Sequence, residues 1–343
     1  MGAAPRSLVL GAAGFLGLNL VDALLADGQT PRCAHRARTN TIPLRRRGVP
    51  RVSADCADVA QLTDACRDVD VVYHLAGHYP RDGRTPAATR ERAVRELDNV
   101  LDAAARSGVR RVVYVSSTAT VARRDDGRPS SESDVFAALP GLGAYHDAKW
   151  AMEARAAAED RLEVVVACPG ACIGPWDLRI GTSALVIATA RGDDPPHPDG
   201  VVSLVDARDV ARLLVVLGAA ATPPRRVLIA SRTVGLHALL GELAHHFGVR
   251  PPRAPLAPDA AIAFADAEEA RVAGTPARAL LAREIVDLVL HGAAIDARLA
   301  GGLLPGGFTP FADTLAEVTR FARRMRFIPE PVVPPSVPPT QGL

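Results

Sequence analysis

Short, unbroken apolar runs alternate along the chain with longer stretches in which apolar residues recur every three or four positions. SLVL (7–10), VVYHLA (71–76), RVVYVS (111–116) and LEVVVA (162–167) are of the first kind. Continuous Val- and Leu-rich runs suit parallel strands covered on both faces, where no polar alternation is needed. FLGLNLVDALLADG, TPAATRERAVRELDNVLDAAARSG and KWAMEARAAAED are of the second kind, and they close mostly on Gly or a charged turn, as helices do. Strand, helix and strand in repetition predict an α/β fold, a Rossmann-type doubly wound parallel sheet. After about residue 170 the rhythm loosens. Pro and Gly interrupt ACIGPWDLRIG and ARGDDPPHPDGVV, while RRVLIA (225–230) reads as a late sheet element. The expected organisation is a Rossmann core over 1–170, a smaller C-terminal region over 171–328 interwoven with late core elements, and a Pro-rich tail over 329–343. The Ala/Arg/Pro-rich stretch 250–305 gives no clear pattern, and PEPVVPPSVPPTQGL has the composition of an extended or disordered segment.

Composition narrows the class. With 343 residues and 48% apolar content the chain can bury a substantial core. Its formal charge of +2, from 40 basic and 38 acidic residues mixed along the chain, announces no face for nucleic acid or anionic lipid. No apolar run reaches membrane-spanning length. The start, MGAAPRSLVLGAAG, leads almost straight into a strand without the pattern of a signal peptide. Cys33, Cys56, Cys66, Cys168 and Cys172 are odd in number and scattered, which fits reduced thiols rather than a disulfide framework; none has zinc-ligand spacing, so no metal is expected. A soluble cytoplasmic protein handling small molecules is expected, with neither nucleic acid nor membrane as partner.

GAAGFLG follows the first strand and opens a helix, with Gly11, Gly14 and Gly17 spaced G-x-x-G-x-x-G. The first glycine permits the tight turn and the second lets backbone approach a pyrophosphate. The third lets helix and strand pack closely, with the phosphates on the helix N-terminus. Phe15 and Leu16 belong to that first helical turn. The end of the second strand selects the dinucleotide: an acid there binds a free ribose diol, whereas a 2′-phosphate calls for arginine. PRCAHRART supplies Arg36 and Arg38 and no acid, so NADP(H) is favoured, with Arg36 as a bidentate clamp. The same arginines also read as surface cations of an arginine-rich chain. Asp55, after the third strand, reads either as an adenine contact or as a loop aspartate.

In YHDAK (145–149) stands Lys149, the only lysine of the chain; every other basic residue is arginine. Tyr145 and Lys149 lie four apart and share a helix face. An ammonium beside a phenol favours its anion and lowers its pKa, making a tuned general acid or base. A compact ammonium can also bond ribose hydroxyls where a planar guanidinium fits differently. SSTAT, at the end of the fifth strand, offers the hydroxyls of Ser116, Ser117 and Thr118 to polarise a carbonyl. His78 and Tyr79 are second-tier substrate contacts. Cys168 and Cys172 read as core thiols, His245 and His246 as polar helix residues, and Asp206 and Asp209 as capping or pairing groups at the start of ARDVARLLVVL.

With these motifs the chain resembles the extended short-chain dehydrogenases/reductases of the NAD-dependent epimerase/dehydratase superfamily, and within them the dihydroflavonol-reductase-like branch. GAAGFLG, VVYHLAG, NVLDAAARSGVRRVVYVSSTAT, the Tyr-x-x-x-Lys pair, CPGACIGP (168–175), LVDARDVA (204–211) and GGFTPFADTLAEVTRF carry the likeness. The resemblance implies that Thr118 fills the catalytic Ser/Thr position, with Ser117 as fallback, beside Tyr145 and Lys149. It implies that Leu75, Ala76 and Gly77 line the dinucleotide and that Pro169 and Cys172 lie near the nicotinamide; Cys56, next to Asp55, is a further cofactor-binding candidate. It also implies a homodimer through the helices near 86–107 and 143–160, whose Ala-rich faces permit close approach. The chain departs from nucleotide-sugar enzymes where AVREL (93–97) replaces Asn-Val-x-Gly-Thr, and where Ala119 and Thr120 replace an acidic pair after Thr118. The expected function is NADPH-dependent reduction of a ketone, a small-molecule carbonyl substrate. The alternatives are a sugar epimerase or dehydratase with retained NAD(P)+, and a non-catalytic NADP-binding regulator.

Overall fold

The computed structural model describes residues 5–77, 86–178, 180–275 and 277–329. The first half runs β1 (Ser7–Leu10), α1 (Phe15–Ala26), β2 (Arg32–His35), α2 (Ile42–Arg45), β3 (Arg51–Ser53), α3 (Val59–Cys66), β4 (Val71–His74), α4 (Pro86–Arg106), β5 (Arg111–Val115), a 3-10 turn (Thr118–Thr120) and α5 (Ala144–Ala157). It continues with β6 (Glu163–Pro169), β7 (Ala171–Ile173), α6 (Ala184–Ala190), β8 (Val201–Asp206), α7 (Ala207–Ala219), β9 (Arg226–Ile229), β10 (Arg232–Gly235) and α8 (Leu236–Phe247). The stretch 250–305, featureless in sequence, forms α9 (Pro258–Val272), α10 (Arg283–Leu290) and α11 (Arg298–Leu303), and α12 (Phe311–Arg324) follows.

Seven strands form one parallel sheet in the order β3-β2-β1-β4-β5-β6-β9, the doubly wound Rossmann arrangement. The unbroken apolar strands are explained by its two covered faces. Val9, Tyr73, Val113 and Val165 pack in one core with Leu18, Leu20 and Leu214 of α1 and α7. Leu8, Leu10, Val72, Val112 and Val166 pack in the other with Leu97, Leu101 and Met152 of α4 and α5. A second sheet, β10-β8-β7, stands in the C-terminal region, and β9 returns the chain to the main sheet. Asp206 caps α7 by accepting from the Arg208 N–H at 2.7 Å. The five cysteines are free, and Cys168 and Cys172 are buried, as a core reading requires. Among the described residues, no helix is long and apolar enough to cross a membrane.

Arg111, the first residue of β5, is fully buried, an outcome its sequence context does not announce. Its Nη1 donates to the carbonyls of Leu217, Gly218 and Ala220 at 2.8–2.9 Å, while Nε reaches Glu163 at 2.6 Å. A guanidinium thus satisfies the orphan acceptors at the C-terminus of α7 and favours its negative dipole end. This ties the C-terminus of α7 to the start of β5, at the sheet edge opposite the one that carries the site.

Candidate active site

The glycine turn is closed by sterics. Gly11 has φ +84°, and a Cβ there would lie 2.8 Å from the Ala76 nitrogen. At Gly17 a Cβ would come within 2.2 Å of the Gly11 carbonyl oxygen. Only glycine lets α1 start this close to β1 and to the chain leaving β4. Gly14 donates to the Gly11 carbonyl at 2.9 Å and occupies the N-cap without a side-chain cap, so no side chain of the cap covers the first-turn N–H groups of Phe15, Leu16 and Gly17.

The segment Leu75-Ala76-Gly77 joins that turn to the lysine. Leu75 donates to the Leu10 carbonyl at 3.0 Å, Ala76 abuts Gly11, and a Cβ on Gly77 would find Lys149 Nζ as its neighbour at 4.0 Å. Lys149 projects from the second turn of α5, its ammonium donating to the Val115 carbonyl at 3.1 Å and lying 5.4 Å from the centre of the Tyr114 ring. Burial lowers its pKa from the ordinary lysine value to about 8, against the raising influence of Cys168 and Glu153. Tyr145, one turn earlier, is partly exposed, with its ring edge-on to His146 at 6.4 Å.

The three candidate hydroxyls separate by their partners. Ser116 is buried and donates to Glu153 at 2.7 Å. Ser117 Oγ accepts from the Ala119 N–H at 3.2 Å and caps the 3-10 turn. Thr118 is partly exposed and makes no side-chain hydrogen bond among the described residues. Thr118 is thus the least engaged of the three hydroxyls, Ser117 keeps its own proton uncommitted, and α5 packs against their turn.

At the other end, β2 and β3 pair His35 with Ser53, and Ala54 donates to the His35 carbonyl at 3.0 Å. This brings Arg36, just past β2, beside Asp55 and Cys56, just past β3. Arg36 is exposed and has no ion pair among the described residues. The Asp55 carboxylate accepts from the Ala57 N–H at 3.0 Å, the turn-making bond of a loop aspartate, and the Cys56 carbonyl accepts from Asn99 at 2.9 Å. Burial pushes the Cys56 thiol up to about 12. Pro169 ends β6 on the same strand-end edge as Thr118, since Ser116 donates to Ala167 at 2.7 Å; Cys172 lies buried in β7, its thiol also raised to about 12 by burial. His78 and Tyr79 lie outside the described residues.

Two groups escaped the sequence reading. Glu153, one turn beyond Lys149 on α5, is a buried carboxylate bonded by Ser116, Thr120 and Arg226. His74, the last residue of β4, is 1% exposed, has both ring nitrogens without a hydrogen bond and stacks on Tyr114 at 5.7 Å; burial lowers its pKa to about 3. The signal for Glu153 was present as an acid on the Tyr145–Lys149 face of its helix.

The model of the NAD dependent epimerase/dehydratase family matches residues 7–230, from β1 to the end of β9. The chain belongs to this family. It is thus an NAD(P)-dependent oxidoreductase of the extended short-chain dehydrogenase/reductase superfamily, and the matched span includes the glycine turn, the strand ends and α5 described above. A Synechocystis protein, provisionally named dihydroflavonol 4-reductase, is 29% identical over 254 residues, covering 71% of this chain and 73% of the relative. A rice (Oryza sativa subsp. japonica) cinnamoyl-CoA reductase 1 is 32% identical over 228 residues, covering 61% of this chain and 66% of the relative. Among solved structures, a nucleoside-diphosphate-sugar epimerase from Pseudomonas aeruginosa superposes with a TM-score of 0.77 at 24% identity, covering 95% of this chain and all of that one. At that identity the likeness establishes the fold.

Proposed function

We propose that this family member is an NADPH-dependent ketoreductase, of the dihydroflavonol-reductase-like branch, acting on a small-molecule ketone. The observation that carries the reading is the end of β2, where Arg36 stands exposed without an ion pair among the described residues and residues 35–40 contain no acid. A guanidinium matches a 2′-phosphate by charge and fork geometry, and no carboxylate follows β2 to bind a free diol. The turn suits the rest of the dinucleotide: glycines at 11 and 17 let β1, the chain after β4 and α1 pack close together, and no side chain caps the α1 N-terminus.

Bound NADPH supplies the hydride. Thr118 donates a hydrogen bond to the substrate carbonyl oxygen and orients it. Tyr145 gives its phenolic proton to that oxygen as negative charge develops. Lys149 holds positive charge near the phenol, stabilises the phenolate left behind and bonds the ribose hydroxyls. Leu75, Ala76 and Gly77 line the cofactor between the glycine turn and Lys149. Pro169 and Cys172 would hold the nicotinamide end, and Asp55 and Cys56 the adenine end.

A second reading is a nucleotide-sugar epimerase or dehydratase that retains NAD(P)+. The family model and solved neighbours that hold NAD or a UDP-sugar weigh more on this side than on the ketoreductase. On the other side stand the chain's own residues, Arg36 after β2 and the non-acidic Ala119 and Thr120 after Thr118, and relatives named as reductases. Incubating the protein with NADPH or NADH and a panel of aryl and alkyl ketones, and separately with NAD+ or NADP+ and UDP-glucose or dTDP-glucose, divides the two. The ketoreductase reading expects stoichiometric NADPH oxidation with a ketone. Turnover of a nucleotide sugar without net cofactor change replaces it with the second reading.

A further inference from the structure

Tyr145, Lys149 and Glu153 follow one another at four-residue intervals on one face of α5, so each is the next one's neighbour one turn along. Glu153 is 8% exposed. A carboxylate at such depth is costly unless every oxygen is bonded and its charge is matched. Here both conditions hold. Glu153 Oε1 accepts from Arg226 Nε at 2.6 Å. Its Oε2 accepts from Ser116 Oγ and Thr120 Oγ1, each at 2.7 Å, and from the Cys168 thiol at 3.5 Å. Arg226, on β9, also donates to Thr120 Oγ1 at 3.1 Å and to the Glu132 carbonyl at 2.7 Å.

The two hydroxyls that end on this carboxylate belong to the residues two before and two after Thr118. The turn that presents Thr118 is therefore pinned at both ends to a single side chain. That side chain comes from the helix carrying Tyr145 and Lys149, and Arg226 ties it to the far strand of the sheet.

We propose that Glu153, with Arg226 as counter-ion, is the positioning residue of this site: one buried carboxylate sets the placement of the Thr118 hydroxyl relative to Tyr145 and Lys149. The inference rests on the assignment of Thr118, Tyr145 and Lys149 above, and it applies equally to reduction of a ketone or epimerisation of a sugar. Its physical basis is that hydrogen bonds to a charged acceptor are short and directional, so two of them from one carboxylate leave the turn little freedom.

The test is a double-mutant cycle in the full chain between Glu153→Gln and Thr118→Ala, using the fastest substrate found among the ketones and nucleotide sugars. Glu153→Gln keeps the side chain's shape but removes its charge, and with the amide oxygen toward Arg226 its NH2 group faces the two hydroxyls, which must turn from donors into acceptors. Arg226→Gln is measured beside it to reach the same network from the other partner. We expect each network variant to lose about 10–100-fold in kcat, with the KM for the cofactor within about two-fold of wild type and the far-ultraviolet dichroism unchanged. In the Thr118→Ala background, Glu153→Gln should cost little more, because the hydroxyl it places is gone. Its pH profile should also move, the alkaline limb shifting to lower pH as a negative charge near Lys149 is removed. Equal, multiplicative losses in both backgrounds, or full kcat in Glu153→Gln, overturn the inference. If Thr118→Ala and Tyr145→Phe themselves retain full activity, the site assignment has failed instead, and the positioning role falls with it.

Discussion

Replacing Lys149 by arginine tests whether the position requires an ammonium or merely a positive charge. Arginine serves at every other basic position of the chain and is as good a helix former, so a role limited to charge or helix propensity leaves the variant nearly silent. The geometry argues otherwise. Nζ already sits 3.1 Å from the Val115 carbonyl, and backbone at Gly77 closes the other side, with a Cβ there only 4.0 Å away. A longer, planar guanidinium has to push out through that gap, away from the phenol and the ribose. Losing one hydrogen bond to a charged group costs roughly 1.5–3 kcal/mol. At about 1.36 kcal/mol per decade this is a loss of roughly 10–150-fold in kcat.

The assay is NADPH-dependent turnover of the best ketone, with the thermal midpoint and the KM for NADPH measured alongside; the midpoint should stay within a few degrees. The pH profile gives a second signature. Lysine held at about 8 by burial carries its proton only below that pH, so wild-type kcat/KM should fall above about pH 8, whereas in the arginine variant that limb should move up in pH to the one set by the Tyr145 phenol alone. Stability should run the other way. Between about 8 and the ordinary lysine value the unfolded chain binds more protons than the folded one, so the lysine's unfavourable contribution is relieved as pH rises. A Lys149→Arg protein with kcat within about two-fold of wild type, or one whose alkaline limb stays where the wild type has it, refutes the assigned role.

Arg36→Asp should raise the KM for NADPH by roughly 10–100-fold while leaving that for NADH nearly unchanged, read from initial rates with each cofactor; an equal loss for both removes the 2′-phosphate contact. Arg111→Met should lower unfolding free energy by about 3 kcal/mol in urea melts, because it strands the carbonyls of Leu217, Gly218 and Ala220, yet leave the NADPH KM unaltered in protein that stays folded. Light scattering at micromolar concentration should give about twice the 36.0 kDa chain mass, as a homodimer pairing α4 and α5 requires, and a monomeric mass removes that expectation.

The sequence revealed whatever depends on local periodicity. Runs such as SLVL and RVVYVS declared buried parallel strands because both faces of the main sheet are covered. The Gly11–Gly17 turn and the Tyr145–Lys149 spacing were legible because glycine sterics and helical pitch act within a few residues. Long-range features were opaque. Arg111 reads as one more strand residue, and only the fold brings it under the end of α7, 106–109 positions away. Glu153 meets its counter-ion Arg226 across 73 residues. In the stretch 250–305 Ala falls on both faces of α9, so its pattern does not separate core from solvent, and the eight-residue α10 offers only two turns of signal. Strands β7, β8 and β10 form their own sheet by pairing residues such as Ala171 with Leu204 and Arg232 with Leu204, which no local pattern encodes.

Deuterium transfer tests the central claim most directly. The protein is incubated with NADPH carrying deuterium at both positions of nicotinamide C4 and the ketone it turns over fastest, and the product is weighed by mass spectrometry. A ketoreductase built from Thr118, Tyr145 and Lys149 must deliver one deuterium to the carbinol carbon for each NADPH oxidised, and Tyr145→Phe must abolish that transfer. No deuterated alcohol from any ketone, together with conversion of UDP-glucose at constant cofactor redox state, contradicts the account.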